Sequence, residues 1–357
     1  MPSEIDEKIQ AIGLMSGTSM DGLDIAQCTF HFSADGITYA IDHCDTIVYP
    51  DEINRNLRYA ERSDALTFCR IDAAYGKWIG ETCRTFMDTH HADPLLIASH
   101  GHTIFHNPGE GFTTQIGNGA QIAAATKVRT VVDFRSLDVA LGGQGAPLVP
   151  IGDRILFGQY DACVNIGGFS NISLEQEQKR IAWDICPANY LLNHYAAKLG
   201  LKYDESGNIA RKGTAIPRLL EKLNQLDYYA ALPPKSLGRE WVEAVVFPLI
   251  SEYEPDFTGI LNTLTTHIAT IIGQALPKES TATVFFTGGG VHNAFLMEHI
   301  AANASSKQFI PDKQTIDFKE ALIFALLGVL RYKNTPNCLG SVTGASANNI
   351  GGAVYEI

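Results

Sequence analysis

Charge is scarce in this sequence, and positive charge scarcest. Only 18% of the 357 residues are charged, with 27 Lys+Arg against 39 Asp+Glu and a formal net charge of −12. No run of Lys or Arg offsets the acidic balance, which argues against the basic face a nucleic-acid partner needs. Long hydrophobic runs are missing too: the longest, Ala321 to Leu330, has ten residues, too few to span a bilayer. The first ten residues include Glu4, Asp6 and Glu7 and lack the apolar stretch of a secretion signal. The seven cysteines are odd in number, scattered, and form no C-x-x-C pair. That spacing suits small buried thiols in a reducing compartment better than a disulfide framework or a zinc site. No short-period repeat appears, so solenoids and propellers are out. A cytoplasmic protein is expected, with neither nucleic-acid nor membrane partners.

What remains is 45% hydrophobic and longer than the roughly 250–300 residues at which a single core stops growing. Two domains are therefore expected. Strand-like and helix-like apolar stretches alternate, which points to an α/β architecture. Ala11 to Met15 and Leu23 to Phe30 read as strands around a turn at Ser16 to Gly22. A similar plan recurs from Ala162, with Gly167-Gly168 as the turn and Ser170 to Leu174 returning. Two halves, each opening with a hairpin whose tip is rich in glycine and small polar residues, suggest a duplicated core around a cleft. Val284 to Phe286 reads as a strand entering Thr287-Gly288-Gly289-Gly290, with a helix from about Asn293. Ala146 to Phe157, with Pro147 in its first turn, and the apolar Glu320 to Leu330 are candidate connecting helices.

The strongest local signal is Gly17-Thr18-Ser19-Met20-Asp21-Gly22-Leu23-Asp24. Its glycines open backbone conformations closed to other residues and let main-chain N–H groups approach an anion. Thr18 and Ser19 add hydroxyls, and Asp21 or Asp24 could hold a hydrated Mg²⁺. The same residues also compose an ordinary turn, and the Walker A order with its lysine is absent. Asn165 to Asn171 shares that ambiguity. For Gly288 to Gly290, a ligand approaching the backbone accounts for three successive glycines better than packing does.

Asp184 ends the short strand Ile181 to Trp183 ahead of a helix Asn189 to Lys198. There it either points into the crevice where α/β ligands bind or serves as a turn former or cap. His100, His102 and His106 invite a metal reading, but Gly101, Pro108 and Gly109 make the segment a loop. No Cys or acidic ligand accompanies the histidines, so substrate hydrogen bonding is the better account. In Asp133-Phe134-Arg135 with Asp138, either Arg135 pairs with a carboxylate to brace a loop, or the group touches a polar substrate.

Taken together, these segments resemble the anhydro-N-acetylmuramic acid kinases of the actin/hexokinase/Hsp70-like superfamily. The resemblance rests on Gly13 to Gly22, Ser99-His100-Gly101, Asp133-Phe134-Arg135, Gly142 to Pro150 and Asn165-Ile166-Gly167-Gly168. It continues through Pro233-Pro234-Lys235-Ser236, Gly288-Gly289-Gly290, Glu320-Ala321 and Ser341 to Ala345. It implies a two-domain actin-like (ribonuclease H-like) α/β fold with an interdomain active-site cleft, divided at about 1–158 and 159–357. The final segment is allowed to pack back on the first domain.

The resemblance further implies a first phosphate loop at Gly17, Thr18, Ser19, Met20, Asp21, Gly22, Leu23 and Asp24. A second phosphate loop would include Gly167 and Gly168, and Gly288, Gly289 and Gly290 would form the nucleotide-side turn. Asp184 would be the catalytic carboxylate, and His100, Asp133, Arg135, Asn189 and Glu320 would serve the sugar site. ATP with Mg²⁺, an anhydro-amino-sugar acceptor and a homodimer complete the expectation, with no metal held directly by the protein. The chain departs from the family pattern at Cys186 and Ala188, where a Gly-Pro-Gly-Asn-like turn is usual, and at His102, usually Gln. The alternatives are a kinase of another sugar hydroxyl and a catalytically silent sugar or nucleotide sensor. An Hsp70-like ATPase with a peptide-binding domain fails on length.

Overall fold

The computed structural model describes residues 6–17, 20, 22–233 and 235–357. Contacts divide the chain into two compact units, Met1–Leu156 with Phe318–Ile357, and Phe157–Asp317. In the first stretch lie β1 (Glu7–Ser16), β2 (Leu23–Ser33), β3 (Gly36–Ile47), β4 (Leu96–Ser99), β5 (His102–Asn107), β6 (Phe112–Ile116) and β7 (Thr130–Val132). The second unit holds β8 (Ala162–Ile166), β9 (Phe169–Gln176), β10 (Lys179–Pro187), β11 (Thr283–Thr287) and β12 (Lys307–Phe309), and β13 (Ala353–Tyr355) lies near the C-terminus.

In the first unit the sheet order is β3-β2-β1-β4-β7, with β13 added beyond β7. β1, β2 and β3 pair antiparallel, while β1–β4 and β4–β7 are parallel. The second unit repeats the plan as β10-β9-β8-β11-β12, with an antiparallel meander followed by parallel β8–β11 and β11–β12. A meander followed by two parallel strands, present twice, is the duplicated actin-like α/β fold. Parallel neighbours require crossovers, and helices supply them.

Each sheet packs its own core. In the first unit Ile12, Leu14, Ile25 and Ile97 join Ile71, Tyr75 and Ile79 of the helix Ala65–His90. In the second, Val164, Ile172, Val284 and Phe286 meet Leu264 and Ile268 of the helix Phe257–Ala275. The helix Lys313–Tyr332 contains the apolar run, and Ala321 to Leu327 are buried throughout. β1 lies so close to it that a Cβ on Gly13 would stand 1.8 Å from the Ala321 carbonyl oxygen. Gly13 is thus fixed by packing.

Three local expectations change. The helix expected at Ala146 to Phe157 spans Val149–Leu156, so Pro150, not Pro147, lies in its first turn. His102 to Asn107 is a strand, not a loop, because it pairs antiparallel with β6. The strand carrying Asp184 does not end there: β10 continues to Pro187, with a register shift between Asp184 and Cys186. All seven cysteines are free, and among the described residues no helix is long and apolar enough to cross a membrane.

Candidate active site

In the first unit, β1 and β2 hold the Gly17 to Asp24 segment between the paired ends Ser16 and Leu23. Thr18, Ser19 and Asp21 lie outside the described residues. Around them the chain turns: the Met20 N–H donates to the Gly17 carbonyl at 3.2 Å, and Met20 takes a left-handed φ of 58°. Gly22 leaves no room for a side chain, since its Cβ would lie 2.7 Å from the Ile47 carbonyl oxygen. Leu23 is buried in the core, so only its main chain is left to serve a ligand. Asp24 accepts from the Thr46 hydroxyl at 2.6 Å.

Next to this turn runs a chain of buried hydroxyls. Tyr49 donates to Ser16 Oγ at 2.7 Å, and Ser16 Oγ lies 2.8 Å from His102 Nδ1. Burial lowers the His102 pKa to about 4. His102, one of the departures from the family pattern, is therefore a neutral ring hydrogen-bonded through Ser16 to the end of β1.

His100 and Arg135 are brought into direct contact. Arg135 donates from Nε (3.1 Å) and Nη2 (2.9 Å) to His100 Nε2, and from Nη1 to the Gly145 carbonyl (2.6 Å). An arginine only donates, so His100 Nε2 carries the lone pair and Nδ1 the proton, which goes to the Gly101 carbonyl at 2.8 Å. Burial, then the neighbouring guanidinium, holds the His100 pKa well below the ordinary histidine value. Burial brings Arg135 down to about 10, opposed by Glu320, Cys338 and Asp138. Glu320 titrates high because it is desolvated and faces Asp24, with Lys319 and Arg135 pulling the other way.

Arg135 and the Asp138 carboxylate are linked indirectly. Gly145 stands between them, its N–H on Asp138 and its carbonyl on Arg135. A cavity of about 250 Å³ opens beside the carboxyl ends of β4 and β7, with His100 and Asp133 in its walls. Such strand ends are where α/β folds bind ligands. Asp72, Gln115 and Asn118 also line it. Sequence reading missed all three, since Asp72 reaches Asn118 Nδ2 (3.1 Å) across 46 positions with no local motif to signal it.

In the second unit, the β8–β9 turn, Asn189 and the glycine triplet converge. Gly167 and Gly168 carbonyls accept from the Asn189 and Ala188 N–H groups at 3.1 and 2.8 Å, and Asn189 Nδ2 donates to the Ile166 carbonyl at 3.3 Å. A Cβ on Gly288 would sit 2.5 Å from Asn165 Oδ1, and one on Gly290 would sit 2.2 Å from Ile166 Cγ2. Packing on β8 therefore demands glycine at both, and at Gly288 a left-handed φ of 85° demands it as well. A Cβ on Gly289 would have only Asn189 Nδ2 near it, at 4.0 Å.

Asp184 is clamped by the segment that follows Tyr228. Its N–H donates to the Lys235 carbonyl (3.1 Å), its carbonyl accepts from the Tyr228 hydroxyl (2.6 Å), and Oδ2 accepts from Leu237 N–H (2.9 Å). Burial raises the carboxyl pKa, and the Leu237 bond partly offsets this. A partly desolvated carboxylate with one oxygen fixed is suited to accepting a proton on the other. The roles of Tyr228 and Leu237 carried no signal in sequence. The unusual Cys186 and Ala188 are both fully buried, and Ser170 Oγ donates to the Cys186 carbonyl at 3.1 Å. These side chains are absorbed by the core, and the turn keeps its bonds to Gly168.

Among the described residues no three His, Cys, Asp or Glu side chains gather as a metal cage. The Asp24 carboxylate is a hard oxygen donor of the kind Mg²⁺ takes alongside phosphates and water.

The family model described as anhydro-N-acetylmuramic acid kinase matches residues 9–357. A relative of that name from Legionella pneumophila (strain Lens) is 33% identical, over 97% of this chain and 98% of its own. One from Pseudomonas syringae pv. tomato is 34% identical, over 96% and 98%. One from Aliivibrio fischeri is 35% identical, with the same coverage of 96% and 98%. Solved structures are more distant: the activator of the 2-hydroxyisocaproyl-CoA dehydratase from Clostridium difficile, with bound ADPNP, aligns at 12% identity and a TM-score of 0.43, over 91% of this chain and 96% of that one. The fold assignment therefore rests on the strand order. With a family model spanning nearly its full length and relatives matched end to end, the chain belongs to the anhydro-N-acetylmuramic acid kinase family.

Proposed function

We propose that this protein is an ATP-dependent kinase that opens the 1,6-anhydro ring of anhydro-N-acetylmuramic acid with water and phosphorylates O6. The products are N-acetylmuramic acid 6-phosphate and ADP, which fits a cytoplasmic homodimer working in peptidoglycan recycling. In this reading residues 1–158 carry the first phosphate loop and part of the sugar site. Residues 159–357 carry the second loop, the base and the nucleotide turn. The observation that carries the chemistry is Asp184, with Oδ2 on Leu237 N–H and a pKa raised by burial.

The acceptor has no free O6, because that oxygen bridges to C1. Asp184 takes a proton from water, the water oxygen bonds to C1, and the C1–O6 bond breaks. The released O6 takes the γ-phosphoryl group as ADP departs, and the proton on Asp184 passes to solvent. Phosphoryl capture replaces the general acid that a two-carboxylate glycosidase needs. Phosphoryl transfer needs mostly positioning and charge neutralisation. The loop at Gly17 to Asp24, Gly167 and Gly168, and the turn Gly288, Gly289 and Gly290 would supply main-chain donors, and Mg²⁺, when bound, supplies charge neutralisation at the phosphates. His100, Asp133, Arg135, Asn189 and Glu320 would bind the sugar. The silent-sensor alternative loses its support, because Cys186 and Ala188 leave the turn and Asp184 held.

Turnover in ¹⁸O-water tests the reaction. One heavy oxygen on the anomeric carbon, none in the transferred phosphate, is the expected result. It is read early, against unlabelled product kept in the same water, because the anomeric hydroxyl exchanges slowly. An ordinary hydroxyl kinase would place label in neither position, and a mere ATPase would label inorganic phosphate; either result overturns the proposal.

A further inference from the structure

Asp138 is a fully buried carboxylate that the proposed reaction does not use. Four neutral donors hold it. Oδ1 accepts from Thr343 Oγ1 and Asn349 Nδ2, each at 2.8 Å, and from Cys338 Sγ at 3.1 Å. Oδ2 accepts from Gly145 N–H at 2.8 Å. The carboxylate thereby ties the glycine-rich turn 142–145 to the returning C-terminal segment, a tie reinforced by Gln144 N–H on the Thr343 carbonyl at 2.8 Å. A turn with glycine at 142, 143 and 145 has few side chains of its own to hold it in place, so this anchor sets where the Gly145 carbonyl lies.

That carbonyl is one of two fixed points for the Arg135 guanidinium, and His100 Nε2 is the other. We propose that Asp138 is a positioning residue for the acceptor site, setting the orientation and tautomer of His100 through Gly145 and Arg135. The proposal rests on the reading of His100 as a sugar-site residue. If the anchor is lost, Gly145 shifts and Arg135 leaves His100 Nε2, freeing its lone pair to take a proton. The charged and titratable groups around this relay all belong to the first unit. Arg135 and His102 of β5 face His100 and oppose its protonation, while Glu320, Asp138 and Cys338 face Arg135 and support its charge.

Two variants break the anchor in different ways. In Asp138→Asn the one amide oxygen is held by the three donors on the Oδ1 side, which turns the NH₂ toward Gly145 N–H and breaks that contact. In Gly143→Ala the carboxylate stays, but the new methyl would lie 2.3 Å from Asp138 Oδ2 and displace it from Gly145. Imidazole ¹⁵N–¹H spectra, with His100→Gln to identify the signal, read the tautomer directly and without turnover. The wild-type His100 is expected to hold its proton on Nδ1 without titrating from pH 5 to 8. In either variant the Nδ1 tautomer preference should relax and the pKa should move upward, with burial still holding it below the ordinary histidine value. KM for the anhydro-sugar should rise about tenfold or more, with a smaller change in kcat. The swap Asp138→Asn with Asn349→Asp lets the amide donate to position 349 and present its oxygen to Gly145, and should restore His100. Asn349→Ala is the control: it removes one Oδ1 donor and lowers stability while leaving His100 as in wild type. An unchanged His100 signal in the folded Asp138→Asn or Gly143→Ala protein overturns the relay. Wild-type protein that fails to phosphorylate the anhydro-sugar, while its His100 still responds to the variants, would instead overturn the function on which the relay is read.

Discussion

Replacing Asp184 with asparagine should separate chemistry from folding, because the two depend on different oxygens of one side chain. Leu237 N–H requires an acceptor at Oδ2, 2.9 Å away. The amide can meet that requirement only by turning its oxygen toward Leu237, which puts its NH₂ where the base oxygen stood. The native contact survives with a neutral acceptor, and the proton-accepting atom becomes a donor. A positioned general base contributes about 10²–10⁴-fold, or roughly 3–5.5 kcal/mol of barrier. The variant should lose that much in single-turnover rate while calorimetry shows both ligands bound.

Stability should move the other way. Burial raises the folded pKa of Asp184 above its ordinary value of 3.8. The folded protein therefore bears a cost for the charge that sets in as the pH rises through the folded value and is absent below the unfolded one. Relative to wild type, the thermal midpoint of Asp184→Asn should be equal or higher at pH 7–8, with any advantage gone below about pH 4. The acid limb of wild-type activity should likewise lie above the ordinary carboxylate range. A variant keeping more than about a tenth of the wild-type rate, or one whose loss is explained by failed binding or unfolding, would refute the assignment of Asp184 as base. So would loss of ring opening without loss of phosphorylation, since the two are coupled in one event.

Other expectations are simpler to check. Gly290→Ala, with its methyl 2.2 Å from Ile166 Cγ2, overpacks a core and should cost about 1–3 kcal/mol, seen as a lower denaturant midpoint. Gly289→Ala meets nothing closer than 4.0 Å; it should fold normally and weaken ATP binding in calorimetry, and unchanged affinity would remove that turn from the nucleotide site. Lys319 and Asp153 form a buried ion pair at 2.7 Å, so Lys319→Met, which removes the cation of that pair, should destabilise by about 3–5 kcal/mol. Adding Asp153→Leu should recover much of that loss in chemical denaturation.

The two-half α/β plan was legible because hairpin tips and apolar strands are local signals: Ala11 to Met15, Leu23 to Phe30 and Ala162 onward fall inside β1, β2 and β8. The helix Asn189 to Lys198 was likewise readable from its local pattern. Glycine was where local reading was incomplete. Gly288 and Gly290 invite a ligand in sequence, and in space a neighbouring strand also leaves no room for a side chain at either. The His100 to Asn107 segment contains turn residues, yet pairing with β6 makes its second part a strand. Composition and motif order determined the fold class and family, because hydrophobic period and glycine placement are written along the chain. Only the tertiary structure decided that Asp184 meets Leu237, that Arg135 fixes the His100 tautomer, and that Asp138 reaches Asn349 across 211 positions. Hydrogen bonds between segments so distant in sequence depend on how the strands and helices pack, and no local pattern encodes them.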